Sequence, residues 1–196
     1  MPKKILQKEE KVLRQFAKEI PLAEIDSLKI KKVIREMKAA LKSQDDGVAI
    51  AAPQIGYSLR IFVVAGKIFD ASFLGQELPL ADDPRGSTVG APTDSDPVQE
   101  KLASRPPKDL VFINPKISKL SRDKEWLPEG CLSVRPFYGK TYRSKKATVT
   151  AYDEYGKKFE RGGSGLLAQI FQHETDHLNG VLFIDHAKDV KAEEMK

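Results

Sequence analysis

The sequence predicts an α+β domain in which mostly antiparallel strands pack around a central C-terminal helix, with another helix near the N-terminus. Three observations support this fold class. Apolar residues recur at helical spacing early in the chain, strand-like runs fill the middle, and a second helical pattern follows them. Strands that are grouped together, rather than alternating with helices, favour antiparallel pairing. A length of 196 residues suits one domain spanning residues 1–196.

The N-terminal helix is predicted from an apolar stripe that follows two capping residues. Asp26 and Ser27 carry side-chain oxygens that can accept hydrogen bonds from the first N–H groups of a helix. The stripe has the spacing of one buried helix face and consists of Ile30, Val33, Ile34, Met37 and Leu41. Residues 6–19 show a weaker helical pattern, which Pro21 ends.

The strands are predicted from short apolar or β-branched runs that turn residues separate. These runs occupy residues 48–56 (where a turn ends the run), 60–65, 110–113, 147–152 and 158–160. The turn sequence Asp-Glu-Tyr-Gly at residues 153–156 predicts that the last two runs form a hairpin. A helical pattern then runs from about Ser164 to Asn179, and Gly180 stands where that helix is expected to end.

Two segments are predicted to lie outside the packed elements. Residues 76–107 hold six of the twelve prolines of the chain together with several aspartates. This composition predicts a long inserted surface loop, which is either a passive insertion or a lid. The last residues, 188–196, are mostly charged and are predicted to form an exposed tail.

The composition favours a cytoplasmic protein without membrane spans. The N-terminus lacks the apolar segment of a signal peptide, and no apolar run approaches the ~20 residues of a membrane span. The excess positive charge is concentrated in residues 1–42, which carry twelve Lys/Arg and six Asp/Glu. A single aromatic residue, Phe16, lies among these basic residues, so base stacking is not indicated and we expect no specific nucleic-acid partner. The charge indicates either a solvated helix face or weak attraction to a polyanion such as RNA.

The motif H-E-x-x-H at residues 173–177 predicts a metal site. His173 and His177 are four residues apart, which in a helix puts both imidazoles on one face. Glu174, between them, can act on a water molecule at the metal. The chain has three histidines, and the third, His186, is expected at the surface. Two of three histidines in one short motif make a chance match a poor explanation.

A catalytic metal site of this kind needs a third protein ligand and an open coordination position. A downstream third ligand would be a histidine at position 183, but this chain has Phe183 there. A glutamate of the charged tail, Glu193 or Glu194, would be the other downstream candidate. Upstream, the single cysteine, Cys131, stands in a glycine-containing turn where a thiolate can approach a metal. A lone cysteine is otherwise a small core residue. Beside a histidine pair, Cys131 is the predicted third ligand.

Three segments together resemble the motifs of peptide deformylases, in order along the chain. Residues 47–54, Gly-Val-Ala-Ile-Ala-Ala-Pro-Gln, resemble the first motif, which ends in glutamine. Residues 129–133, Glu-Gly-Cys-Leu-Ser, match the second motif, and residues 172–180 match the third. The resemblance extends from about Ile5 to Ala187.

This resemblance implies removal of the formyl group from the N-terminal formylmethionine of nascent polypeptides. It also implies one divalent metal ion, Fe(II) first, with zinc, nickel or cobalt as alternatives. Glu174 would move the proton, while the Gln54 amide and the Leu132 N–H would stabilise the oxyanion. The ligands that the resemblance implies are Cys131, His173 and His177.

The resemblance further implies a cleft in which N-formylmethionyl nascent peptides bind as an added strand. The residues expected to line this cleft are Gly47, Val48, Ala49, Leu127, Glu129, Gly130, Leu166 and Ile170. Ala49 departs from the glycine that the family usually carries, and its methyl group would crowd a bound peptide backbone. Two alternatives are expected for Arg143. It pairs with Glu129 beside the metal, or it is an exposed basic residue. Transient contact with the ribosome is a further expected interaction.

Two alternatives stand beside deformylation. Another metal hydrolase, such as a peptidase, would take its third ligand downstream, where the chain has Phe183. A deformylase-like protein that binds peptides without turnover would lack Glu174, Gln54 or a metal ligand, and all of these residues are present. Deformylation is therefore the leading prediction.

Overall fold

The computed structural model describes residues 1–70 and 107–192. The chain divides into two compact units, one formed by Met1–Ala65 with Leu110–Lys196 and the other by Gly66–Asp109. The surface loop predicted at residues 76–107 lies outside the described residues except for Pro107. A single domain over the whole length stays a prediction.

In the smaller unit, the described residues form one 3-10 turn, Gly66–Phe69. The Gly66 N–H donates a hydrogen bond to the Asp109 carboxylate at 2.9 Å. A Cβ atom on Gly66 would lie 1.8 Å from the Pro107 carbonyl oxygen, so this position requires glycine.

The larger unit has an α+β fold, as the sequence predicts. Its described residues form eight strands and two α-helices. In chain order these are α1 (Leu28–Lys42), β1 (Ala49–Ala51), β2 (Ile61–Val64), β3 (Leu110–Leu120), β4 (Lys124–Gly130), β5 (Phe137–Ser144), β6 (Lys146–Tyr152), β7 (Lys158–Ser164), α2 (Gly165–Leu178) and β8 (Lys188–Ala192). Within the described ranges, no helix is long and apolar enough to cross a membrane.

The strands form two antiparallel sheets. The five-stranded sheet has the order β1-β2-β3-β6-β7 and includes the predicted hairpin, β6 with β7. The three-stranded sheet has the order β4-β5-β8. Its third strand corrects the prediction for the C-terminal tail. Residues Lys188–Ala192 are exposed as expected, but they pair with β5 instead of extending freely; residues 193–196 lie outside the described part.

Local sequence signals mark the start of α1 and the end of α2. The Ser27 side chain caps α1 by accepting a hydrogen bond from the Ile30 N–H at 3.3 Å, and the predicted stripe of α1 is buried. Gly180 follows α2 with φ +75°, and its N–H donates to the His177 carbonyl at 3.2 Å. A Cβ atom on Gly180 would lie 2.8 Å from the Arg14 carbonyl carbon. The close approach of the N-terminal segment therefore also requires glycine at position 180.

Aromatic packing fixes α2 against the five-stranded sheet. Phe62 of β2 and Phe112 of β3 stack with ring centroids 4.5 Å apart. Phe171 of α2 meets Phe112 edge-on at 5.3 Å, and all three rings are fully buried. Aromatic pairs in this geometry add to the free energy gained from burial. They hold the helix in a fixed position relative to the strands.

The weaker helix predicted over residues 6–19 is wrong. This segment contains a turn at residues 8–9 and one 3-10 turn, Lys11–Arg14, and no α-helix. Its backbone N–H groups bond to distant parts of the chain. The Leu6 N–H donates to the Gln54 carbonyl, and the Ala17 N–H donates to the Leu178 carbonyl, at 2.8 and 2.9 Å. These bonds use the donors that a helix would need for itself.

Candidate metal centre

Two elements bring the predicted metal ligands together. Cys131 is the first residue after β4, whereas His173 and His177 lie on consecutive turns of α2. One ligand atom from each residue lies within 4.8 Å of the other two. The Cys131 Sγ and His177 Nε2 atoms are 3.1 Å apart. Among the described residues, this is the one group of three such side chains close enough to hold a metal ion.

The tautomer of His173 is set by a neighbouring carboxylate. The His173 Nδ1 atom lies 2.7 Å from Glu129 Oε1. An Nδ1–H that donates to this oxygen leaves Nε2 unprotonated, which is the state a metal ligand needs. Burial opposes a charge on this ring, but hydrogen bonds with Cys131 and Glu129 outweigh it and raise the pKa of His173. Metal binding at His173 would therefore release a proton.

The second histidine is buried and neutral. His177 is 1% exposed, and burial lowers the pKa of its ring well below the usual value. A neutral imidazole is the form that binds a metal. Within residues 1–70 and 107–192, the His177 Nδ1 atom has no hydrogen-bond partner.

Glu129 is the centre of a buried polar network. It lies on β4 next to β5 and is 6% exposed. Burial alone would raise the pKa of its carboxyl group, but hydrogen bonds and charges from His173 and Arg143 hold that pKa well below the usual range. The carboxylate accepts hydrogen bonds from Thr141 at 2.6 Å, from Arg143 at 2.7 and 3.0 Å, and from Gln169 at 3.2 Å.

Arg143 connects this network back to α2. Its guanidinium makes a two-point contact with Glu129 and reaches Asp176 Oδ2 at 2.7 Å through its remaining nitrogen. The predicted pairing of Glu129 with Arg143 is therefore confirmed, and the alternative of an exposed Arg143 is wrong, since Arg143 is 6% exposed. Two acidic groups from two elements thus share one buried cation.

Glu174 is a buried carboxylate without a full set of partners. It is 3% exposed, and its Oε2 atom has no hydrogen-bond partner among the described residues. Burial raises the pKa of Glu174 to about 7; the charge of His173 opposes this rise, and those of Glu129 and Asp176 add to it. A carboxyl group with a pKa near neutrality can both accept and donate a proton at the pH of the cell.

Gln54 aims its amide nitrogen at the thiol. Its Oε1 accepts a hydrogen bond from the Ala51 N–H at 2.8 Å, which fixes the orientation of the amide. Its Nε2 then lies 3.1 Å from Ser133 Oγ and 3.6 Å from Cys131 Sγ. Gln54 is 2% exposed, so this amide is held in place by its surroundings.

The donor set fits a divalent transition-metal ion. A thiolate and two imidazoles are the ligands that zinc, iron and their neighbours bind well. Three protein ligands are the number found in catalytic sites, whereas structural sites use four. Glu174, the neighbour of His173 in the chain, keeps one buried carboxylate oxygen without a hydrogen-bond partner among the described residues. His186, by contrast, is exposed and lies 4.0 Å from Asp176.

Comparison with known proteins identifies the family. A sequence model described as polypeptide deformylase matches residues 2–193. The chain belongs to the polypeptide deformylase family. Peptide deformylase 1A of Solanum lycopersicum is 37% identical over 174 residues, which is 89% of this chain and 55% of that protein. Peptide deformylase 2 of Clostridium acetobutylicum is 33% identical over 177 residues, 90% of this chain and 89% of its own length. The chain thus spans little more than half of the plant relative.

A solved structure of another family member agrees with the fold. A peptide deformylase from Synechococcus elongatus, crystallised in complex with actinonin, superposes with a TM-score of 0.69 at 32% sequence identity. The match covers 96% of this chain and 80% of that one. The antiparallel sheets and the two helices of the larger unit are therefore those of a deformylase.

The predicted cleft residues of this deformylase-family chain lie on several elements. Ala49 lies on β1, with Gly47 and Val48 just before it, and the other candidates lie on β4 and α2. Among the described strands β1 is an edge strand, since only β2 pairs with it. Neighbouring side chains explain why glycine stands at positions 47 and 130. A Cβ atom would lie 3.0 Å from Leu41 at Gly47 and 2.4 Å from the Tyr138 ring at Gly130.

Sequence reasoning missed several members of the network around the ligands. Thr141, Gln169 and Asp176 bond to Glu129 or Arg143, and the Ser133 N–H lies 3.4 Å from Cys131 Sγ. Ser133 and Asp176 lie inside the motifs, so their position was a usable signal. Thr141 had no such signal, because strand register alone brings it opposite the region of Glu129.

Proposed function

We propose that this chain removes the formyl group from the N-terminal formylmethionine of nascent polypeptides. The observation that carries the proposal is the convergence of the Cys131, His173 and His177 donors, with the buried Glu174 next to His173 in the sequence, in a chain of the deformylase family. Formyl removal is an amide hydrolysis. It needs an activated water molecule, stabilisation of an oxyanion and a proton for the leaving amine.

The proposed cofactor is one divalent ion, with Fe(II) first and zinc, nickel or cobalt as alternatives. Such an ion would supply a Lewis acid that polarises a carbonyl group and makes water more acidic. Cys131, His173 and His177 would hold it. The contact between His173 and Glu129 supports this role because it fixes the ring orientation that coordination requires.

Glu174 is the proposed acid–base group. In this role it accepts a proton from the water that attacks the formyl carbon and later donates it to the leaving amine nitrogen. A pKa of about 7, which burial produces, suits both transfers because neither the charged nor the neutral form is strongly favoured at neutral pH. The unpaired Oε2 atom is free to make the hydrogen bond to water.

Gln54 and the Leu132 N–H are the proposed oxyanion donors. The Ala51 N–H holds the Gln54 amide so that its nitrogen points towards Cys131, and this donor needs no reorganisation during the reaction. Leu132 directly follows Cys131 in the chain, and the next N–H, that of Ser133, lies 3.4 Å from the Cys131 sulfur. The Leu132 carbonyl accepts a hydrogen bond from Gln7 at 3.1 Å, which helps to fix this turn.

The proposed substrate site uses the free edge of β1. Ala65 donates to the Val48 carbonyl on the β2 side at 2.9 Å. Because hydrogen-bonding directions alternate along a strand, the N–H and C=O of Ala49 then point away from β2. A peptide could pair there as an added strand. The proposed slot for the methionine side chain is formed by Val48, Leu127, Leu166 and Ile170, with Gly47 and Gly130 as adjoining backbone.

Location and encounter follow from the proposed substrate. A protein that acts on nascent polypeptides is expected in the cytoplasm and in transient contact with the ribosome. Neither expectation changes the chemistry assigned to the residues above.

The test is formate release from N-formyl-Met-Ala-Ser by anaerobically iron-loaded protein. We expect formate and free tripeptide amine in equal amounts. Replacing Glu174 with glutamine, Glu174→Gln, should lower turnover by about 10²–10⁴-fold, the usual contribution of acid–base catalysis, while metal content stays unchanged.

Glu160→Gln is the matched control because Glu160 lies exposed on β7. It should retain full turnover. Absence of formate release from a fully metal-loaded native protein would overturn the proposed function, and full activity in Glu174→Gln would overturn the role of Glu174.

A further inference from the structure

The three-stranded sheet exposes one face rich in aromatic rings and lysines. We call this the outer face; it consists of Lys124, Trp126, Tyr138, Lys140, Tyr142 and Lys188. Side chains alternate along each strand, and these residues occupy exposed positions of β4, β5 and β8. Trp126 is 44% exposed, Tyr138 40% and Tyr142 52%. Large rings that keep about half of their surface in water add little to a core.

Two of these rings form a cross-strand pair. Trp126 and Tyr142 are directly opposite each other in the register of β4 and β5, and their ring centroids are 5.2 Å apart. The Tyr138 ring lies over Gly130, because a Cβ atom there would be 2.4 Å from it. Trp126 and Tyr142 are therefore adjacent rings, and Tyr138 lies further along β5 on the same face.

Lysine side chains lie close to these rings. The Lys188 Nζ atom lies 4.7 Å from the Trp126 ring centroid, and the Lys124 Nζ atom lies 5.9 Å from that of Tyr142. Lys140 is opposite Lys188 in the register of β5 and β8. Among the described residues, the acidic group paired with one of these lysines is Asp189, 3.6 Å from the Lys140 Nζ atom. In the described part of the chain, three lysines of the outer face thus stand against one paired aspartate.

We infer that the outer face binds single-stranded nucleic acid without base specificity. Bases would stack on Trp126 and Tyr142, and the lysines would contact phosphates. Exposed aromatic rings within a positively charged groove are the features that bind single strands, because every base has a π-face and every nucleotide a phosphate. An acidic peptide would use the lysines but would gain little from the rings.

The sequence alone predicts no specific nucleic-acid partner, because its basic N-terminal segment contains a single aromatic residue, Phe16. In the folded protein, lysines and aromatic rings lie among one another on the outer face. Strand pairing brings lysines and rings from three separate strands onto one surface. The competing explanation is that these cross-strand pairs only stabilise the sheet.

The chain has one tryptophan, Trp126, so its fluorescence reports directly on the outer face. The experiment titrates full-length metal-loaded protein with a 12-nucleotide oligo(rA) while recording tryptophan emission. We expect quenching on binding, and an affinity that falls with salt. The slope of log affinity against log salt should be about −0.7 for each lysine that contacts a phosphate, or near −2 for all three.

Tyr142→Ala should weaken binding about 5- to 100-fold, the loss that follows removal of one stacking ring. Tyr142→Leu keeps an apolar cross-strand contact and should weaken binding as much, which separates stacking from folding. The matched control is Tyr155→Ala. Tyr155 is 77% exposed in the turn between β6 and β7, and its removal should leave affinity unchanged.

Three outcomes would overturn the inference: no binding to oligo(rA), binding without quenching of Trp126, or equal binding of poly-glutamate, which points to an acidic partner. An equal loss in Tyr142→Ala and Tyr155→Ala would also overturn it. Oligo(dA) separates the two sources of the ligand. Binding of RNA alone would narrow the ligand to RNA, and equal binding would support recognition of any single strand.

Discussion

The two faces of the three-stranded sheet use the same alternating strands for opposite purposes. On the outer face, lysines and aromatic rings remain in contact with water. On the inner face, which we define by Leu127, Glu129, Thr141 and Arg143, polar side chains are buried and bond to one another and to α2. The inner face orients His173, a candidate metal ligand, whereas the outer face leaves its rings and charges exposed.

This difference shows that a charged group contributes differently to the free energy of folding on the two faces. A buried carboxylate between an arginine and a histidine is strongly coupled to both, since little solvent screens it. An exposed lysine over a ring contributes little to folding, since water and salt weaken the contact. Substitutions on the inner face should therefore change stability and metal binding, and those on the outer face should change neither by much.

The largest effect is expected from Glu129→Gln. Loss of this charge leaves Arg143 buried with Asp176 alone, and breaking a buried pair costs about 3–5 kcal/mol. Because Asp176 still pairs with Arg143 at 2.7 Å, we expect the lower end of that range. Metal affinity should fall about 10- to 100-fold, as it does when the partner of a ligand histidine is lost. Urea unfolding and a metal titration measure the two effects.

Glu125→Gln is the control on the same strand. Glu125 pairs with Lys145 at 3.7 Å, and both side chains are about half exposed. Its replacement should cost less than about 1 kcal/mol. Glu125 lies on the same face as Glu129 but near its exposed end, so equal losses in the two variants would contradict the dependence of these energies on burial.

A smaller effect is expected from Thr141→Val on the inner face. The Thr141 hydroxyl is fully buried and donates to Glu129 at 2.6 Å. Hydrogen bonds to a charged group contribute about 1.5–3 kcal/mol, and the remaining donors on Glu129 favour a value near 1.5. Thr150→Val is matched, because its hydroxyl contacts Glu160 at 3.4 Å on an exposed strand face. Unfolding curves should show a change within about 0.5 kcal/mol for this control.

The smallest effect is expected on the outer face. A double-mutant cycle between Trp126→Ala and Tyr142→Ala should give a coupling energy of about 0.5 kcal/mol, since the rings pair at 5.2 Å but remain half exposed. Metal content should equal that of the native chain. A coupling above about 2 kcal/mol would mean that the rings exist mainly to hold the sheet together.

Part of the candidate metal centre is predictable because its signal is local. Helical spacing relates His173 to His177, and the same holds for the cap at Ser27 and the stop at Gly180. Cys131 lies 42 residues before His173, so its place beside the pair depends on the family resemblance.

Features that depend on strand pairing are not predictable in this way. Thr141 reaches Glu129 through the register of β4 with β5, and Lys188 reaches Trp126 because β8 joins the same sheet. The helix expected over residues 6–19 fails for a related reason, since its backbone donors bond to carbonyl groups far along the chain. Charged composition suggested an exposed tail, but it does not exclude an edge strand.

Metal stoichiometry tests the central claim most directly. Native protein, anaerobically loaded with iron and then desalted, should contain one ion per chain by mass spectrometry of the metal. Cys131→Ala and His177→Ala should retain less than a tenth of it, because each removes a ligand from a three-ligand site. His186→Ala, which removes the remaining histidine at an exposed position 4.0 Å from Asp176, should retain all of it. Stoichiometric iron in Cys131→Ala, or its loss in His186→Ala, would contradict the proposed metal centre.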